Sequence, residues 1–153
     1  MTWWTLAGQK RVGGLLVDVI LAPDVFVNAS VALGSPPEQV VRRLLSGETR
    51  QKTSRWILER VESMLHALPT FKEEAVLAQM ETIRSLVDVV DETEIDDTDW
   101  LEGLRHAAKA AGIERVITDH PDFADKDVDD GLEFMSTDAW LIEQVTPPPP
   151  PVG

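Results

Sequence analysis

The chain has 153 residues, 43% of them hydrophobic, enough for one domain that buries about 70% of the surface its unfolded chain would expose. It has no cysteine and a formal net charge of −13, which excludes a disulfide scaffold and a thiolate metal staple. No apolar run reaches the ~20 residues of a membrane span, and the first residues lack the basic, apolar and cleavage regions of a secretory leader, so the expectation is a soluble, cytoplasmic protein with no membrane partner.

Residues 1–14, with Trp3, Trp4, Lys10 and Arg11, show no clear period and read as an N-terminal extension. From Gly13 to Ser30 (GGLLVDVILAPDVFVNAS) an apolar run is ended by Pro23-Asp24 and restarts as Val25-Phe26-Val27. That is the pattern of a buried strand delivering Asp24 to the end of a sheet, although Asp24 is equally suited to cap a helical turn that follows. Asp18 alternates with core residues and reads as a buried, paired acid. Ser35-Pro36-Pro37-Glu38 starts a helix, with a Ser cap, prolines where missing amides cost nothing and an acid facing the dipole. Val40, Val41, Leu44 and Leu45 form its apolar face and Gly47 its C-cap.

Thr53 or Ser54 caps the next helix, in which Trp56, Ile57, Val61, Met64, Leu65 and Leu68 recur at helical spacing until Pro69. Thr70 with Glu73 has the form of a capping box for a third helix through Val76, Leu77, Met80 and Ile83. Leu86 to Val90 (LVDVV) reads as a short strand. Asp91 to Glu102 holds seven acids, followed by an alanine-rich helix with Leu101, Leu104, Ala107, Ala108 and Ala111, capped by Gly112. Val116-Ile117-Thr118 is a strand ending at Asp119-His120-Pro121-Asp122, and Ala124 to Gly131 is a charged loop. Leu132 to Met135 makes a last strand. Ser136 or Thr137 caps a final helix through Trp140, and Pro147 to Pro151 is a polyproline tail. Strand and helix alternate, so the fold class is α/β, with a mainly parallel central sheet flanked by helices. Trp56, Trp100 and Trp140 stand near helix starts among apolar neighbours, which favours core packing over base stacking. His120, preceding Pro121, reads as a turn residue.

The charge is unevenly spread. Residues 1–90 balance ten acids against ten Lys and Arg, whereas residues 91–153 carry seventeen acids against four, the whole of the excess. Within the balanced part, Arg42, Arg43, Arg50, Lys52 and Arg55 lie close together in sequence and are the candidate phosphate contacts for a nucleic acid.

In order and spacing, VILAPDVFVNAS, DDTDWLEGLRHAAKAAGIERVITDHPDF and LEFMSTDAWL resemble the PIN-domain family, in particular its branch of toxin components of toxin–antitoxin systems. The resemblance covers residues 15–143 as one PIN-like domain, with 144–153 as a proline-rich tail. It implies an endoribonuclease that uses Mg²⁺ or Mn²⁺ to hydrolyse RNA phosphodiester bonds through carboxylates at one sheet edge. Hard divalent ions take oxygen ligands and lower the pKa of bound water. On that resemblance the catalytic acids are Asp24, Glu59, Asp99 and Asp119, and the metal-ligand candidates are Asp24, Asp97, Asp99, Asp119 and Asp122. The pattern departs from the family at three places. Ala22 stands where the first-strand carboxylate usually falls, the family Glu falls on Arg60 unless shifted to Glu59, and Thr118-Asp119-His120 replaces Thr-Gly-Asp. A second expectation is therefore a PIN-like module without catalysis, acting through protein or RNA binding. The implied partners are RNA and an antitoxin-like protein, and a homodimer is left open.

Overall fold

The computed structural model describes residues 18–47, 50–90, 99–124 and 131–145. The expected extension at residues 1–14, the turn from 91 to 98 with Asp97, and the polyproline run lie outside the described residues. Within them the chain alternates strand and helix: β1 (Val19–Leu21), α1 (Pro23–Val31), α2 (Pro36–Leu45), β2 (Gln51–Ser54), α3 (Arg55–His66), α4 (Glu73–Leu86), β3 (Val87–Val90), α5 (Trp100–Ala111), β4 (Arg115–Ile117), β5 (Glu133–Met135) and α6 (Thr137–Val145). The α/β class with a small parallel sheet is as the alternation implies. No helix among the described residues is long and apolar enough to cross a membrane.

All strand pairs are parallel. β1, β4 and β5 form one ladder in that order, with Ile20 opposite Val116 and Val116 opposite Phe134. β2 and β3 form a second, with Gln51 opposite Val87 and Ser54 opposite Val90. The Gln51 side chain donates to the Val19 carbonyl and so joins the start of β2 to the start of β1. The strands are short; β1 and most of β4 are buried on both faces, as central parallel strands covered by helices must be, whereas Lys52, Asp88, Val89 and Glu133 of the other strands are exposed. Val19, Ile20, Leu21, Val116 and Ile117 pack with Val25, Phe26, Val40, Ile57, Val61, Leu65, Met80 and Leu104 in one core.

Four sequence expectations are corrected. Val25-Phe26-Val27 lies in α1, not in a strand, because Pro23 occupies the first helical turn with its preset φ and Asp24 stands at the positive end of the helix dipole. Asp18 is exposed and precedes β1 instead of standing buried inside a strand. Strand β2 was not expected, since QKTS carries no apolar alternation; it exists because Gln51, Thr53 and Ser54 are buried against β3 and β1. Thr70 is two residues too early to cap α4, whose cap position is Lys72. The α2 C-cap falls at Ser46, one residue before the expected Gly47; other caps are as read. The Ser54 hydroxyl accepts from the Ile57 N–H at 3.1 Å, and Gly112 ends α5 at φ 69°, a conformation that disfavours any side chain. Ser35 does occupy the α2 cap position, but its hydroxyl donates to the Ala32 carbonyl at 2.6 Å. Helix α6 runs through Val145, two residues into the segment expected as tail.

Candidate functional site at the strand C termini

In a parallel sheet the C-terminal strand ends share one edge, where ligands of open α/β folds bind. Here that edge is built by two carboxylates. Asp24, in the first turn of α1 just after β1, accepts from the Thr118 hydroxyl at 2.7 Å through Oδ1 and from the Asp119 N–H at 2.8 Å through Oδ2. Asp119, just after β4, accepts from the Thr137 N–H at 2.8 Å and from the Thr137 hydroxyl at 2.7 Å, so it ties the start of α6. Thr118 and Thr137 are buried, at 0% and 1% exposure, and such hydroxyls need a partner. Thr118 Oγ1 also accepts from the His120 N–H at 3.1 Å, and His120 Nδ1 accepts from the Asp122 N–H at 3.1 Å. With Nδ1 accepting, Nε2 is left as the ring's donor.

Burial pushes the Asp24 carboxyl above its ordinary range, and the neighbouring charge of Asp119 acts in the same direction. The bonds from the Asp119 N–H and the Thr118 hydroxyl act against them without cancelling the rise. Two like charges at close range in a half-dry site are held by neutral donors rather than by a cation.

The remaining candidate carboxylates take no part in the bonds that tie Asp24 and Asp119. Glu59 is exposed on α3. Asp99 is the exposed N-cap of α5 and accepts from the Leu101 N–H at 3.0 Å. Asp122 is exposed in the turn after β4, and Asp97 lies outside the described residues. Among the described residues, no three Asp, Glu or His side chains gather closely enough to hold a metal ion. Asp97, also a candidate, lies outside those residues, and the oxygens of Asp24 and Asp119 are engaged by Thr118, Thr137 and the backbone.

The members of the basic cluster, close together in sequence, hold different partners. Arg42 pairs with Glu38 on its own helix. Arg50 donates to Asp88 Oδ1 at 2.7 Å and to the Val87 carbonyl at 2.7 Å. Lys52 Nζ reaches the Ala111 carbonyl at 3.3 Å. Arg43 and Arg55 are exposed. Arg50 precedes β2 and Arg55 follows it, so these two stand at opposite ends of that strand.

The sequence did not reveal a row of rings flanking the acids. Trp56 meets Trp100 edge-on with centroids 6.0 Å apart. Trp100 lies 5.7 Å from His120, His120 5.0 Å from Phe123, and Phe123 5.7 Å from Phe134. The rings come from α3, the start of α5, the turn after β4, and β5, and no period in the sequence links them. The one local sign is that Trp56, Trp100 and His120 all stand one to three residues past a strand or at a helix start. Because Trp56 follows β2 and His120 follows β4, their connection through Trp100 also brings the C-terminal ends of both ladders to the same side.

No protein-family model and no curated protein matches this chain. What the edge does has to be read from its own geometry.

Proposed function

We propose that the chain is a PIN-like module whose strand-end acids brace the fold, and that it acts by binding a partner instead of cutting RNA. One observation carries the reading: all four carboxylate oxygens of Asp24 and Asp119 accept hydrogen bonds from the chain itself. Ala22 stands two residues before Asp24, its N–H bonded to the Ile117 carbonyl at 2.9 Å. Each oxygen keeps a second lone pair, so these bonds do not bar an ion; they give both acids a structural part in joining two strand exits and the start of α6, and denaturation in the presence of the metal separates that part from a cleaving one.

The test is thermal denaturation of the wild type and of Asp24→Asn/Asp119→Asn in Mn²⁺, together with incubation of single-stranded RNA. A specific ion at ten times its dissociation constant would stabilise the wild type by ~1.4 kcal/mol. The expected result is equal shifts in both proteins, from screening of the acidic surface, and intact RNA. A shift confined to the wild type, accompanied by Mn²⁺-dependent RNA cleavage, would restore the endoribonuclease reading.

A further inference from the structure

Each half-exposed ring of the row follows directly on an acid: Asp99-Trp100, Asp119-His120 and Asp122-Phe123. The ends of the row are closed, since Trp56 is 6% exposed and Phe134 3%. Only the middle, Trp100, His120 and Phe123, meets solvent, with the His120 side chain 34% and the Asp122 side chain 77% exposed. The rings are tilted at 40° and 44° to one another. Asp99 is exposed at the first of the three rings and Asp122 at the last, while Asp119 between them is turned toward Thr137.

Ring faces carry negative electrostatic potential and attract a cation, most strongly when carboxylates stand beside them. The row already takes one such group at its closed end: the Arg60 guanidinium sits 5.3 Å from the Trp56 ring centroid. The sequence on either side is strongly negative, with six acids and no base in residues 91–99 and five acids against one lysine in residues 122–130. A polyanion is repelled by such a field. A guanidinium suits it better than an ammonium, being flat, weakly hydrated and able to bond carboxylates while stacked on a ring.

We propose that the Trp100–His120–Phe123 row docks an arginine-bearing basic segment of a partner protein, with guanidinium groups on the ring faces and Asp99 and Asp122 flanking them. This rests on the reading of the edge as a binding surface, and it names the chemistry of the partner. The row is preformed, because its outer rings are anchored in the core and its central turn is fixed by the Thr118–His120–Asp122 bonds, so little ordering accompanies docking.

The experiment is calorimetric titration of the full chain with a blocked peptide of alternating Arg and Gly, and with the same peptide carrying citrulline, which keeps the shape and loses the charge. The Arg peptide should bind and the citrulline peptide should not. His120→Ala and Phe123→Leu should each weaken binding roughly 5- to 30-fold, with near-ultraviolet circular dichroism confirming that both variants are folded. Asp122→Asn should also weaken binding, whereas Glu81→Gln, which removes an equal charge from helix α4, should bind like the wild type. Equal binding of the two peptides, or wild-type binding by both ring variants, would overturn the proposal and leave only general attraction to an acidic protein. An oligouridylate that binds and displaces the Arg peptide would overturn it in favour of nucleic acid. A wild type that ignores the peptide and leaves RNA intact removes this docking site without touching the non-cleaving reading, whereas Mn²⁺-dependent cleavage removes the latter.

Discussion

Gly103→Ala sets a helix preference against a close contact, and the structure decides which prevails. Gly103 lies on α5 facing Trp56, and a Cβ there would fall 2.1 Å from Trp56 Cζ2 and 2.2 Å from Cε2. Alanine in a helix interior is favoured over glycine by about 1 kcal/mol. Against that, the indole would have to retreat by more than an ångström, and it is 6% exposed and packed edge-on against Trp100. Overpacking of this kind costs typically 1–3 kcal/mol, and here the upper end applies because the clash is with a rigid ring and not with the end of a flexible chain. The net loss should be about 1–2 kcal/mol, which lowers the melting temperature by roughly 2–8 °C for a domain of this size. Thermal denaturation followed by circular dichroism measures the loss, and near-ultraviolet ellipticity reports the displaced indole. A variant that melts at or above the wild-type temperature with an unchanged near-ultraviolet spectrum would refute the packing argument, and with it the rigid anchoring of the ring row.

Other outcomes follow from the two carboxylates. The raised folded-state pKa of Asp24 means that its stabilising contribution is present below the ordinary value of 3.8 and is lost as pH rises through the folded-state value. Asp24→Asn should therefore gain on the wild type in urea denaturation as pH rises from about 3.5 to 7, and a difference that shrinks over that range contradicts the burial argument. Asp119→Ala leaves the buried Thr137 N–H and hydroxyl without their acceptor, so it should destabilise by about 1–3 kcal/mol, whereas loss of the exposed cap in Asp99→Ala should cost ~1 kcal/mol. Both losses are expected to be the same with and without Mg²⁺, as measured by urea midpoints; a loss at Asp119 seen only with Mg²⁺ would mark it as a ligand.

The alternation of elements was legible because the apolar spacing of α2, α3 and α5 and the caps Ser54 and Gly112 act locally. The position of Asp24 at the sheet edge was also legible, since Pro23-Asp24 ends the first apolar run. What was not legible depends on contacts between segments distant in sequence. Strand β2 has no apolar signature and takes its conformation from pairing with β3, thirty-six residues further on. The basic cluster looked like one patch because its residues are neighbours in the chain, yet Arg50 turns to Asp88 and Lys52 to Ala111 once the strand forms. Asp119 looked like a free strand-end acid because nothing in the sequence says that Thr137 will stand beside it. The ring row was missed for the same reason: its touching neighbours are separated by up to forty-four residues and meet only after the strands align.

The order of strands β1, β4 and β5 gives the acids a common purpose. Asp24, leaving β1, takes hold of Thr118 and the Asp119 N–H at the exit of β4; Asp119 in turn takes hold of Thr137, at the exit of β5. Each strand end is thus joined to the next by a carboxylate, in the sequence of the sheet itself. Donors to ionised carboxylates make hydrogen bonds about twice as strong as neutral ones, so two such links hold an edge of three-residue strands that backbone pairing alone would leave weak. Burial of the Asp24 carboxyl, with the charge of Asp119 acting in the same direction, is the cost of this arrangement, and it is visible in the raised pKa of Asp24. On the binding reading proposed above, these links give the rings beside the edge a fixed frame.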